Sequence, residues 1–146
     1  MDVLALTALV LKLQGSPGAV GSVEVRAKLM SAMIVVESER FDLDPALVAA
    51  VIQHESGFRR DAVGLLGEQG LMQLKRGTWS TKGFDHLSDV GLRQPRVNIY
   101  LGVRHLAKVR KVCGENSSPL NWLSVYSGRK KCRPSEYSRS IMKLLA

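Results

Sequence analysis

The most constraining feature of this chain is one short segment, Phe41 to Gly57, that carries its own start, stop and apolar face. Asp44 is placed to cap the first free amides of a helix. Pro45 suits the first helical position, where its missing N–H is not needed. At about 100° per residue, Leu47, Val48, Val51 and Ile52 lie in one arc. Gly57 then stops the helix, because it takes the left-handed conformation without a Cβ penalty. The segment predicts a helix from Ala46 to about Ser56.

The same period recurs along the chain. Val23 to Ser38 carries Leu29, Met30, Met33, Ile34 and Val36 at helical spacing. Pro95 to Val112 places Val97, Leu101, Leu106 and Val109 inside and Arg104, Lys108, Arg110 and Lys111 outside. Leu120 to Tyr126 predicts a short helix. Pro134 opens a last one, with Tyr137, Ile141, Leu144 and Leu145 on one face. Between them, Gln14 to Ser22 and Arg60 to Gly70 are rich in glycine and read as linker and loop. Leu71 to Thr78 predicts a helical turn, and Thr81 to Asp89 is irregular. No alternating strand of useful length occurs, and no internal repeat. The fold class is mainly α.

A chain of 146 residues, 45% apolar and 23% charged, suits one globular domain and excludes a disordered or fibrous chain. The division expected is residues 1–22, an apolar helix plus a Gly/Ser/Pro linker, and 23–146, the functional domain. Val3 to Leu11 loosely resembles a signal peptide. However, Asp2 stands where a basic region belongs, so a first core helix is the expectation. No apolar run reaches the length of a spanning helix. The net charge of +8 draws the chain to polyanions: nucleic acid, acidic membrane surfaces or anionic wall polymers. Cys113 and Cys132 have no further metal-ligand partners near them. They are either two reduced thiols or one disulfide.

Glu55 interrupts the pattern. It falls near the middle of the apolar arc, in the last turn of its helix. Burial there disfavours the charged form, and so does the negative end of the helix dipole. Both effects raise a carboxyl pKa, and an acid protonated near neutrality is what general acid catalysis needs. The plainer reading is that Glu55 pairs with Arg59 or Arg60, or emerges into solvent.

The surrounding text bears on that choice. Glu55-Ser56-Gly57-Phe58, then Gly67-Glu68-Gln69-Gly70-Leu71-Met72-Gln73-Leu74, resembles the lytic transglycosylases of the soluble (SLT) type, relatives of goose-type lysozyme. Asn98-Ile99, Leu101-Gly102 and Leu106 resemble that family's third motif. Tyr126-Ser127-Gly128 resembles its Tyr-Asn-Ala-Gly motif, with Ser127 in place of Asn and one residue fewer. Tyr137 occupies the place of a recurrent aromatic. The resemblance covers about Leu43 to Leu145, in four ordered motifs.

The resemblance implies a lysozyme-like helical domain with a substrate cleft, in which Glu55 is the catalytic residue. Ser56, Met72, Gln73, Tyr126 and Tyr137 would bind substrate, with Tyr126 bonding Glu55 or an N-acetyl group. Ser56 alternatively only finishes its helix, and Met72 alternatively fills the core. Trp79 and Trp122 line subsites or belong to the core. His54 points away from Glu55, since consecutive helical residues diverge by about 100°. Glu68 braces its loop. No metal or cofactor is implied.

The implied substrate is peptidoglycan glycan, cut between N-acetylmuramic acid and N-acetylglucosamine with a 1,6-anhydro product. A single glutamate serves, first as acid and then as base. The alternatives are a lysozyme-type muramidase, using a second carboxylate among Asp61, Glu68, Asp85 and Asp89, and an inactive wall-binding domain. Arg129, Lys130, Lys131 and Arg133 form a dense patch beside Tyr126. It matches anionic wall material, or is simply a solvated loop. A nucleic-acid module is disfavoured, because the cations do not gather on one helix and aromatics total 5%. The setting implied is extracytoplasmic, in the periplasm or cell envelope or delivered by a phage, with the protein monomeric. A small domain of this kind suits local wall opening for a secretion, conjugation or phage apparatus. An envelope location would favour the Cys113–Cys132 bond.

Overall fold

In the computed structural model, which describes residues 1–146, the regular structure is helical throughout. The helices are α1 (Val3–Leu13), α2 (Ser22–Arg40), α3 (Pro45–Ser56), α4 (Asp89–Arg93), α5 (Pro95–Cys113), α6 (Pro119–Tyr126) and α7 (Glu136–Lys143), with a 3-10 turn at Trp79–Thr81. No helix is long and apolar enough to cross a membrane.

α3 is the hub. The Asp44 carboxylate accepts the Ala46 N–H at 2.9 Å, Pro45 opens the helix, and Gly57 closes it at φ 59°. Burial on α3 is wider than the expected arc: every residue from Leu47 to Ile52 is buried. Ala49 and Ala50 explain the difference. Their small side chains let neighbours approach the side a single-stripe reading assigns to solvent, and a helix apolar all round belongs inside a fold. α1, α2 and α7 all pack against it.

α1 buries Leu6, Val10 and Leu11 against α2 and α3, so it is a core helix. Asp2 has a local explanation as well: its carboxylate accepts the Ala5 N–H at 2.8 Å and caps α1. Trp122 is 2% exposed and belongs to the core, whereas Trp79 is 38% exposed.

Two local expectations are corrected. Leu71 to Thr78 is not a helical turn. Gln69 and Leu74 exchange both backbone hydrogen bonds, at 2.8 and 3.0 Å, across a turn with positive φ at Gly70 and Gln73. Positive φ at two turn positions is incompatible with a right-handed helix. Within Thr81 to Asp89, the chain is irregular as expected between Lys82 and Ser88, whose hydroxyl accepts the Gly91 N–H and caps α4. The last helix starts after Ser135, not at Pro134: Ser135 and Ser138 cap each other's backbone N–H groups. Leu144 falls beyond that helix and is exposed. Of the two cysteine readings, the structure has the bonded one: Cys113 at the end of α5 is joined to Cys132 in the loop between α6 and α7.

Candidate active site

A cleft of about 700 Å³ opens at the C-terminal end of α3. Glu55, Glu68, Gln73, His105, Tyr126 and Tyr137 are among its lining residues. They come from α3, the loop that follows it, α5, α6 and α7, so the site exists only once all five have packed.

Glu55 has neither of the arginine partners expected for a structural glutamate. Arg59 directs its Nε–H to the Ser56 carbonyl at 3.0 Å, and the four ion pairs of the chain do not include Glu55. Its carboxylate instead accepts a hydrogen bond from the Tyr137 hydroxyl. Burial, opposed by that hydrogen bond and reinforced by the negative charge of Glu68, pushes the Glu55 carboxyl up to about 7. Glu55 therefore holds a proton for delivery near neutrality and gives a base once that proton has left. Burial, then the Glu55 charge, also raises the phenols of Tyr126 and Tyr137 well above the usual tyrosine range, so both remain donors.

Of the residues expected to touch substrate, Ser56 and Met72 are buried and brace the site, while Gln73 and Tyr126 line the cleft and also brace its loop. Ser56 is buried, and its hydroxyl lies 2.8 Å from the Leu71 carbonyl and 3.1 Å from that of Ile52, tying the loop to the helix end. Met72 is fully buried, packed where a Cβ on Gly102 would collide with it. The Tyr126 hydroxyl donates to the Met72 carbonyl at 2.8 Å; its hydrogen bond is to the loop, not to Glu55. Gln73 borders the cleft, with Nε2 donating to the Gly70 carbonyl at 2.9 Å.

Asn98 joins the two halves of this arrangement. Fully buried, it accepts the Met72 N–H at 2.8 Å and donates to the Gln69 and Leu92 carbonyls, each at 2.8 Å. Gly70 is required beside it: φ there is +77°, and a Cβ would meet the Asn98 amide. Glu68 accepts the Leu66 N–H at 3.0 Å, which fixes its loop. His54 sits on the rim, its ring edge-on to Tyr137 at 4.8 Å, with no hydrogen bond to Glu55.

Sequence reasoning missed His105. It lines the cleft with its Nδ1 buried and unpartnered, its ring 4.9 Å from that of Tyr126 and 6.0 Å from that of Trp79. Burial and the neighbouring Arg104 push its pKa down to about 4, so it is a neutral imidazole. A lone histidine in a basic helix was its only signal.

Comparison with known proteins gives the family and the fold. Residues 32–128 match the transglycosylase SLT domain. Membrane-bound lytic murein transglycosylase C of Actinobacillus pleuropneumoniae, from strains L20 and JL03, is 32% identical over 96 residues. That match covers 62% of this chain and 26% of the relative, so the chain spans about a quarter of those proteins. An inactive mutant of lytic transglycosylase Slt from Pseudomonas aeruginosa, solved by X-ray crystallography, superposes with a TM-score of 0.57 at 24% identity. The superposition covers 85% of this chain and 22% of that one, and shows a shared fold. The chain belongs to the transglycosylase SLT domain family.

Proposed function

We propose that this domain is a peptidoglycan lytic transglycosylase, cutting the β-1,4 bond between N-acetylmuramic acid and N-acetylglucosamine. The observation that carries the reading is Glu55: a half-buried carboxyl in a cleft, free of cationic partners and held near neutrality by burial. Protonated Glu55 gives its proton to the bridging oxygen. The bond from that oxygen to the muramic C1 breaks, and the N-acetylglucosamine leaves with a free 4-hydroxyl. The substrate's own N-acetyl carbonyl stabilises the positive charge at C1. The Glu55 carboxylate then takes the proton of the 6-hydroxyl, whose oxygen bonds to C1 and closes the 1,6-anhydro ring. Glu55 ends protonated again, and no water is consumed.

The disposition of the other carboxylates supports one glutamate over two. Asp61 lines a different groove, Asp85 is exposed, and Asp89 is paired with Arg76 at 3.0 Å. Glu68 does share the cleft, but one of its oxygens is held by the Leu66 N–H. A lysozyme-type hydrolase would need Glu68 to activate water. Mass spectrometry of muropeptides released from purified sacculi separates the two. Anhydro-muramic ends are expected; reducing ends, one water heavier, would establish the hydrolase. No release from folded protein would leave the wall-binding domain.

This reading places the domain in the cell envelope, where a disulfide is stable. Relatives named as membrane-bound murein transglycosylases support that location. Action as a monomer beside a secretion, conjugation or phage apparatus belongs to the same proposal.

A further inference from the structure

The loop after α6 carries Arg129, Lys130, Lys131 and Arg133, all exposed and none in any of the four ion pairs. Like charges on a free loop carry their backbone apart; the backbone of these is tied down. The Arg129 N–H donates to the Ser124 carbonyl at 3.2 Å, and the Ser124 hydroxyl donates to the Arg133 carbonyl at 2.7 Å. Cys132 is covalently anchored to α5. The two residues that precede this cluster, Ser127 and Gly128, line the cleft that holds Glu55. Four exposed cations on a tethered backbone, next in sequence to cleft-lining residues and without an acidic partner, form a surface prepared for an anion.

We infer that this loop binds the carboxylates of the peptide stems carried by the glycan strand that occupies the cleft. The inference rests on the peptidoglycan reading above. N-acetylated sugars are neutral, whereas the stem hangs from the muramic lactyl group and brings carboxylates close to the bond being cut. Between Gly128 and Pro134 there is no aromatic side chain to stack on a base and no large apolar one to enter a lipid surface, which disfavours nucleic acid and membrane as the anion.

The test compares two substrates made from the same strands, one bearing stems and one stripped of them by an amidase. Binding is measured with Glu55→Gln protein, so that it is read apart from cleavage, and KM and kcat with active protein. In Arg129→Ser/Lys130→Ser/Lys131→Ser/Arg133→Ser, affinity for stem-bearing strands is expected to fall about five- to twentyfold at low salt, with the gap closing at high salt. KM rises with kcat unchanged, and stripped strands bind both proteins alike. Lys130→Glu/Lys131→Glu, which keeps both arginines, repeats the effect if the larger variant folds poorly. Equal loss on both substrates, no loss on either, or preferential binding to anionic vesicles or DNA overturns the inference. Failure of the active protein to cleave either substrate, with stem-selective binding intact, overturns the catalytic reading alone.

Discussion

Two hollows of the molecule are nearly equal in size, and only one of them holds a half-buried carboxyl. The larger, about 770 Å³, lies between α1, α2 and the loop after α3 and is lined mainly by apolar residues such as Ala27, Met30, Met33 and Phe58. The Glu55 cleft is about 700 Å³ and draws most of its lining residues from polar side chains. Volume therefore does not identify the active site. A charged group held in partial burial without a neutralising partner does, because the fold keeps that cost only where nothing local relieves it. In the apolar groove the charged residues at the lining, Arg26, Arg59, Arg60 and Asp61, are all exposed, so water meets their charges and none carries a burial cost.

The sharpest break in the comparison is Glu55→Gln. Loss of the acid is expected to lower the release of muropeptides about a thousandfold or more, while Asp61→Asn in the groove leaves it unchanged. The same substitution has a stability signature. The folded Glu55 pKa of about 7 lies above its ordinary 4.5, so the folded state binds the proton more tightly. Glu55 stabilises the protein fully below pH 4.5, and that contribution is lost as pH rises to about 7. Glu55→Gln should thus be more stable than the native protein at pH 8, by up to about 3 kcal/mol, with the advantage gone at pH 4. Thermal denaturation at the two pH values checks the sign; a native protein equally stable relative to the variant at both would show that Glu55 titrates as an ordinary surface carboxylate.

Asn98→Ala is next. It removes the partner of the Met72 N–H and of two carbonyls in the buried interior beneath the cleft loop. A cost of about 3 kcal/mol follows from orphaned buried backbone groups. Activity should fall more than the folded fraction does, because Met72 and Gln73 are positioned through this side chain. Denaturant titration and specific activity on the same sample separate the two effects. An unchanged unfolding midpoint would mean that the loop holds itself.

These two residues also show how much the sequence could tell. α3 was readable because its signals are local: a cap, a proline, an apolar period and a glycine lie within one short segment. Glu55 was conspicuous because it breaks that period. The Tyr137–Glu55 hydrogen bond joins residues 82 positions apart, and nothing in either neighbourhood specifies the pairing. The family pattern marked Tyr137 as a recurrent aromatic, but not what its hydroxyl meets. The choice left open for Met72, and the partner of the Tyr126 hydroxyl, lay beyond the sequence for the same reason. Whether a Met faces a sugar or the core depends on Gly102 leaving room for it, which is a tertiary fact. The turn at Gly70 to Gln73 was misread because its apolar spacing fits a helix as well as a turn; the backbone of Gln73, at φ 50°, decides.

Tyr137→Phe gives a smaller effect of informative sign. The hydroxyl favours the carboxylate form of Glu55 and holds its pKa below the value burial alone would set. Without it the pKa rises, so the fall in activity on the alkaline side moves to higher pH. The rate near neutrality drops about tenfold as Glu55 loses its orientation. A pH–rate profile reads both. A shift towards lower pH would mean that another group, not Tyr137, determines the ionisation of Glu55.

The smallest effect belongs to the groove, and it is the one that tests whether the two hollows are independent. Leu29 is 61% exposed on α2 and Val63 is 58% exposed in the loop after α3. Leu29→Ser and Val63→Ser remove apolar surface that already meets water, so each should change stability by no more than about 0.5 kcal/mol. The positions differ in one respect. Leu29 lies on α2, which contributes no residue to the cleft lining, whereas Val63 is bridged to Gln69, which is bridged in turn to Leu74 at the cleft. The backbone, not the Val63 side chain, makes that bridge, so both variants should retain full muropeptide release. If Leu29→Ser is silent while Val63→Ser lowers kcat, the loop carries side-chain packing from one hollow to the other. The groove would then be part of the support of the active site.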